Sequence, residues 1–211
     1  MDRQGGNCAA CHIPPAFTDF GFHNTGVTQV DYDDAHGEGA FAALAIPDLA
    51  ARSADPEAFL PPSAAHPFAP EPFRALVDPA KPGFVDLGVW NVFQNADLGD
   101  PNRRRRMDRL VCASAADPTA CRRSSRSDRL DAAVALFKTP GLRDLGHSNP
   151  YFHTGKVDTL EDVVRTYVRT SRLEQSGALR NGAVQLRDMH IDESDVAPLA
   201  AFLRSLNEDY E

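Results

Sequence analysis

Residues 8–12 read Cys-Ala-Ala-Cys-His: two thiols three positions apart, with an imidazole directly after the second. The run C-x-x-C-H has a mechanical reading. The two thiols add across the two vinyl groups of a haem to form thioethers. The adjacent His is then held where it can supply the proximal iron ligand. The spacing therefore predicts one covalent haem c, with Cys8 and Cys11 as anchors and His12 as the iron ligand. Other uses of a close cysteine pair fit less well. A zinc ribbon needs a second close pair, and Cys112 and Cys121 stand too far apart. A thioredoxin-type pair needs a preceding strand, for which Gly5-Gly6-Asn7 is a poor choice. In a secreted chain, Cys112 and Cys121 would read as a disulfide closing a short loop.

The elements that must position this motif are helices and loops. Residues 1–30 carry Pro and Gly in a pattern that wraps rather than repeats. Residues 31–100 are irregular and Pro-rich, with a short helix over 39–51 interrupted by Pro47. Helices are expected over 102–115 and 128–137. Thr159 should cap a helix to about residue 170, with Asp162 completing a capping box and Val163, Val164, Tyr167 and Val168 on one face. Asp192 should cap the last helix, to about Leu206, with Asp195 in the reciprocal position.

The 211 residues, 42% hydrophobic, suit one globular domain. No apolar run approaches the roughly 20 residues of a membrane span. A net charge of −8 argues against a general nucleic-acid binder and leaves membrane-surface binding without support. Met1-Asp2-Arg3-Gln4 contains no apolar signal segment, although c-type haem is attached outside the cytoplasm. The natural N-terminus is therefore expected to lie upstream, and the mature protein in the periplasm or another extracytoplasmic space.

The stretch C-A-A-C-H-x-x-P-x-F-T-D-x-x-F-H-N-T-G resembles the start of the C-terminal haem domain in the bacterial di-haem cytochrome c peroxidase / MauG family. The stretch F-K-T-P-G-L-R-D-L-G-H-S-N-P-Y-F-H-T-G-K-V-D-T-L-E-D-V-V resembles that domain's second signature, and A-P-L-A-A-F-L-R-S-L its final helix. The match covers roughly residues 5–30 and 136–207. The resemblance implies an all-α, cytochrome c-like fold over residues 1–211. Its haem-wrapping segments would span about 5–30 and 129–207, separated by a Pro-rich central insertion over about 31–128, with long irregular loops. An N-terminal domain carrying the peroxidatic haem would be missing from this chain, which has a single C-x-x-C-H.

Functionally, the resemblance implies an electron-transfer domain. It would receive electrons from a small cytochrome c or cupredoxin and pass them to a peroxide-reducing haem, or serve MauG-like oxidation of another protein. Enzyme activity of this chain alone is left open. The sixth iron ligand in the peroxidases is a Met, at a place occupied here by Tyr167; MauG-type members carry Tyr there. Tyr167 is thus the candidate distal ligand, with Met189 as rival and a plain core role as the alternative for each. Arg143 and His153 are expected near the haem, Arg143 towards a propionate. The backbone carbonyls of Ser148 and Pro150 match calcium ligands of the peroxidases, whose remaining ligands would come from the missing domain.

Other residues carry bland expectations. His23 should brace its loop beside Asn24 and Gly26. Trp90 should be core rather than an electron relay. Arg103 to Arg106 read as a solvated helix end, with docking of an acidic redox partner as the alternative. Asp31, Asp33, Asp34 and Glu38 read as a solvated loop. The rival to the two-haem reading is a stand-alone mono-haem carrier.

Overall fold

The computed structural model describes residues 5–95, 100–113 and 115–208. It is mostly helical, with long irregular stretches, as expected. The elements in order are β1 (Phe22–His23), α1 (Val27–His36), α2 (Ala40–Ala43), α3 (Leu49–Ala54), α4 (Pro56–Phe59), α5 (Pro101–Ala113), α6 (Pro118–Arg123), α7 (Arg126–Asp131), β2 (Phe137–Lys138), α8 (Leu160–Gln175) and α9 (Glu193–Arg204). No helix among the described residues is long and apolar enough to cross a membrane.

Side-chain caps set several helix starts. The Thr159 hydroxyl accepts from the Asp162 amide and donates to its carboxylate, and α8 then runs on to Gln175, past the expected end. Asp192 and Asp195 form a full capping box on α9, and Ser125 with Asp128 does the same for α7. The two long C-terminal helices are tied by Arg204–Glu161 at 2.6 Å, and Arg165 on α8 reaches Glu193 at 2.8 Å.

The larger core draws mostly on residues between 31 and 128: Tyr32, Phe41, Phe73, Val85, Leu87, Trp90, Phe93 and Val111, closed by Leu130 and Ala133. Trp90 is a core residue, fully buried and packed edge-on to Phe73 at 5.1 Å. The guanidinium of Arg52, also buried, lies 4.7 Å from the Trp90 ring centroid and donates to the carbonyls of Trp90 and Phe93. Burial pushes its pKa down to about 10.

Three local expectations change. The helix expected over 128–137 stops at Asp131, because Ala135 adopts φ 57° and its amide donates to Leu87. The helix expected over 39–51 becomes α2 and α3 with a break between. The acidic group at 31–38 lies largely on α1 rather than in a solvated loop. Asp33 is buried and accepts from the Phe41 amide, while Asp34 grips Arg169 through both oxygens at 2.6 and 2.9 Å. Cys112 and Cys121 form a disulfide joining α5 to α6, with Cα atoms 5.4 Å apart.

Candidate functional site

The C-x-x-C-H motif folds as one 3-10 turn, Cys8–Ala10, opened by Asn7 at φ 47°. Asn tolerates this left-handed backbone better than most residues. The amides of Cys11 and His12 both return to the Cys8 carbonyl, at 3.3 and 2.8 Å. Two thiols and an imidazole therefore issue from a single turn. Asn7 Nδ2 donates to the Gln185 carbonyl at 2.8 Å, and the His190 amide donates to the Gly5 carbonyl at 3.0 Å. These bonds anchor the turn to the segment that precedes α9.

His12 Nδ1 lies 2.9 Å from the Phe17 carbonyl. A carbonyl only accepts, so Nδ1 carries the proton and Nε2 keeps its lone pair, as a metal-ligating imidazole requires. Phe17 holds φ 52° to make this bond. The cost of order 1–3 kcal/mol for such a backbone is a feature of sites whose surroundings over-determine it. Burial lowers the His12 pKa, against the pull of the Phe17 carbonyl, the Asp19 charge and the Pro140 carbonyl. Cys8 and Cys11 are free thiols, each half-buried. Burial raises both, Cys11 to about 12 with help from the charges of Asp19 and Cys8. As thiols they are poor nucleophiles.

A second apolar cluster lies against this turn. Leu179, Ala183, Leu186 and Met189 form its buried centre, with Cys8, Tyr167, Leu173 and Ile191 packed around them. The structure thus brings together Cys8 and both candidate distal ligands, Tyr167 from α8 and Met189 from the segment before α9. Tyr167 is half-buried, and its hydroxyl makes no hydrogen bond to another described residue. Burial raises its pKa, and the Cys11 and Cys8 charges add to this. Phe152 lies 6.2 Å from its ring. Two thiols and an imidazole from one turn, with a phenol and a thioether among the adjacent apolar side chains, form a donor set that fits a covalently held haem.

The other side of the motif is polar. His23 Nε2 meets Asp19 Oδ2 at 2.8 Å, and Asp19 Oδ1 accepts from the Gly21 amide. Burial opposes ionisation of Asp19, but hydrogen bonds from His23, Gly21 and Thr139 outweigh it and hold its carboxyl below the usual range. His23 braces its loop as expected; Asp19 was not singled out in the sequence, where only its spacing of four from His23 marked it. Donor atoms of Cys11, Asp19 and His23 lie within 4.8 Å of one another. That trio could hold a soft cation only while the Cys11 sulfur is unmodified.

Two sequence-distant segments meet around this point. β1 pairs antiparallel with β2, Phe22 opposite Lys138 and His23 opposite Phe137. The Thr18 hydroxyl donates to the Thr139 carbonyl at 2.7 Å. Arg143 is exposed; its Nε donates to the Pro15 carbonyl at 3.2 Å and its guanidinium sits 5.5 Å from the Phe17 ring, whose carbonyl holds His12. His153 stacks on Phe137 at 3.6 Å, and its Nε2 lies 3.2 Å from the Thr28 hydroxyl. Burial of the ring pushes its pKa down to about 4, although the outer edge of the residue stays exposed. Ser148 and Pro150 lie on an exposed loop, pinned where the Tyr151 hydroxyl donates to the Leu145 carbonyl.

The chain is similar to two proteins described as "Methylamine utilization protein MauG". The one from Methylophilus methylotrophus is 37% identical over 71 residues, 34% of this chain and 20% of that protein. The one from Methylorubrum extorquens is 33% identical over 70 residues, 33% of this chain and 18% of that protein. The matched stretch spans about a fifth of the length of these curated relatives. No protein-family model matches the chain, and no solved structure matches it.

Proposed function

We propose that this chain is a c-type haem domain of a di-haem peroxidase or MauG-like oxidoreductase and that it moves electrons rather than cleaving peroxide. The observation that carries the reading is the packing of the C-x-x-C-H turn against the apolar cluster that also holds Tyr167 and Met189. The partial likeness to MauG supports it. When bound, a haem supplies a one-electron couple in low-dielectric surroundings.

The residues divide the work. Cys8 and Cys11 hold the group covalently. His12 presents Nε2 because Phe17 occupies Nδ1. Tyr167 would supply a phenolate oxygen to the iron, its proton leaving to solvent as the bound cation replaces it, since burial otherwise keeps the phenol protonated. A phenolate is a hard, anionic donor and favours the ferric state, where the Met189 thioether would favour the ferrous one. Arg143 and His153 belong to the polar surroundings, Arg143 beside the Phe17 segment. Leu179, Ala183 and Leu186 exclude water.

In this reading the chain works outside the cytoplasm, with a cytochrome c or cupredoxin as electron donor. An N-terminal haem domain completes the enzyme, and Ser148 and Pro150 contribute carbonyls to a calcium shared with it. Residues 5–30 and 129–207 wrap the haem. The lone C-x-x-C-H favours one other reading, a stand-alone mono-haem carrier; a second C-x-x-C-H encoded upstream of Met1 would discard it.

The test is production in a host with c-haem maturation. One haem per chain should remain attached after denaturation, and Cys8→Ser/Cys11→Ser should release it to acidified organic solvent. A wild-type chain that matures without covalent haem sinks the proposal.

A further inference from the structure

The chain is acidic as a whole, net −8, yet it concentrates positive charge at one place. An open cleft of about 860 Å³ is lined by the arginines 103, 105, 106, 109, 122 and 129, with Asp100 and Asp108 as its counter-charges among the described residues. The sequence showed the run at 103–106; the fold adds Arg109 one turn on, Arg122 from α6 and Arg129 from α7. Part of this charge is matched internally. Arg129 pairs with Asp108 at 3.2 Å and Arg103 lies 3.8 Å from Asp100, while Arg105 donates to the neutral Asn102 and keeps its charge. Arg106, Arg109 and Arg122 are exposed and have no acidic partner among the described residues.

Helix stability does not account for this arrangement. Arg103 to Arg106 sit in the first two turns of α5, the end at which the macrodipole disfavours cations. Arg105 and Arg109 are four apart on one face, a repulsive spacing. The charge is nonetheless held in place: the Cys112–Cys121 disulfide staples α5 to α6, and Arg129 fixes α7 against α5 through Asp108. A rigid fork of guanidinium groups is suited to carboxylates, which each can grip through two parallel bonds.

We infer that this arginine cleft docks an acidic segment of a partner protein. Three features choose that occupant over other polyanions. The site is a cleft, which admits a projecting loop or chain end. Asp100 and Asp108 interrupt it, which suits a protein segment with spaced carboxylates, whereas a continuous phosphate backbone would meet repulsion inside it. The surplus negative charge of the rest of the chain repels a long anion or a charged bilayer beyond the cleft. The inference stands apart from the haem reading, since it needs neither the iron nor the thiols. α5 also packs against β1, the strand that carries His23, so a docked partner rests on an element touching the motif's polar side.

The test uses the full chain with its disulfide intact and a fluorescein-labelled ten-residue peptide in which Glu alternates with Ser, followed by anisotropy. Binding is expected at low salt, with loss of at least tenfold in affinity at 0.5 M sodium chloride. Arg106→Gln/Arg109→Gln/Arg122→Gln should weaken it at least tenfold, while the control Lys81→Gln/Arg172→Gln, at exposed positions outside the cleft, leaves it unchanged. Matching circular dichroism and thermal melts would show that the triple variant folds. The inference is overturned if the peptide does not bind, if the triple variant binds it equally well, or if phosphatidylglycerol vesicles, duplex DNA or tripolyphosphate bind more tightly than the peptide.

Discussion

Tyr167 and Met189, from separate elements, pack into the same apolar cluster, and Cys8 packs there with them. Both are candidates for the sixth position in the proposed haem reading, and their chemistry separates them. With Tyr167 as ligand, the ferric haem protein gives a low-spin electron paramagnetic resonance signal. Tyr167→Phe should convert it to high spin, and Met189→Leu should leave it low spin. The reverse pattern would assign Met189, and a high-spin wild type would remove both.

Gly26 lies close against α8, the helix that carries Tyr167. It holds φ 84°, and a Cβ there would lie 2.8 Å from Thr170 Cγ2 on the buried face of α8, one turn beyond Tyr167. Gly26→Ala should destabilise the chain by about 1–3 kcal/mol, from the backbone strain and the displaced helix. Urea unfolding measures the loss. A variant as stable as the parent would show that α8 yields freely.

His153 makes stability depend on pH. Its ordinary pKa of 6.5 falls to about 4 in the folded chain. The unfolded chain therefore takes up the proton first. Stability is full above about pH 6.5 and declines as pH falls towards 4. Thermal melts of wild type and His153→Gln should converge near neutrality and diverge on acidification, with the wild type losing more. Parallel curves would mean that the ring protonates freely where it stands.

Among the described residues, Arg52 is held by the carbonyls of Trp90 and Phe93 rather than by a carboxylate. Arg52→Met keeps much of the apolar stem but leaves two buried acceptors unpaired, and should cost about 2–4 kcal/mol. Equilibrium unfolding followed by Trp90 fluorescence reports it directly, because Trp90 is the sole tryptophan.

The parts of the molecule legible in the sequence were those governed by neighbouring residues. Cys8, Cys11 and His12 are a local motif, and Thr159 and Asp192 cap their helices through residues two or three positions away. Asp19 was not legible because its role depends on His23 and Thr139 meeting it in space. α1 escaped notice for a related reason. Its Asp and β-branched residues are weak helix formers, and what sustains it is burial of Val27, Val30 and Tyr32 together with the long-range bonds of Asp33 and Asp34. Two-residue strands such as β1 and β2 are too short for any periodicity. The arginine cleft showed only its first three members, Arg103, Arg105 and Arg106, since Arg109, Arg122 and Arg129 join it through helix packing.

The pairing of His23 with Phe137 makes the whole stretch between them depart from and return to one point. That stretch is a closed lobe, and its exposed turn at Ala64 and Ala65 lies inside the closure. A protease cutting there would release nothing: the two pieces would travel together through gel filtration and part only in denaturant. A chain severed at that turn and produced as two polypeptides should reassemble around the same short ladder.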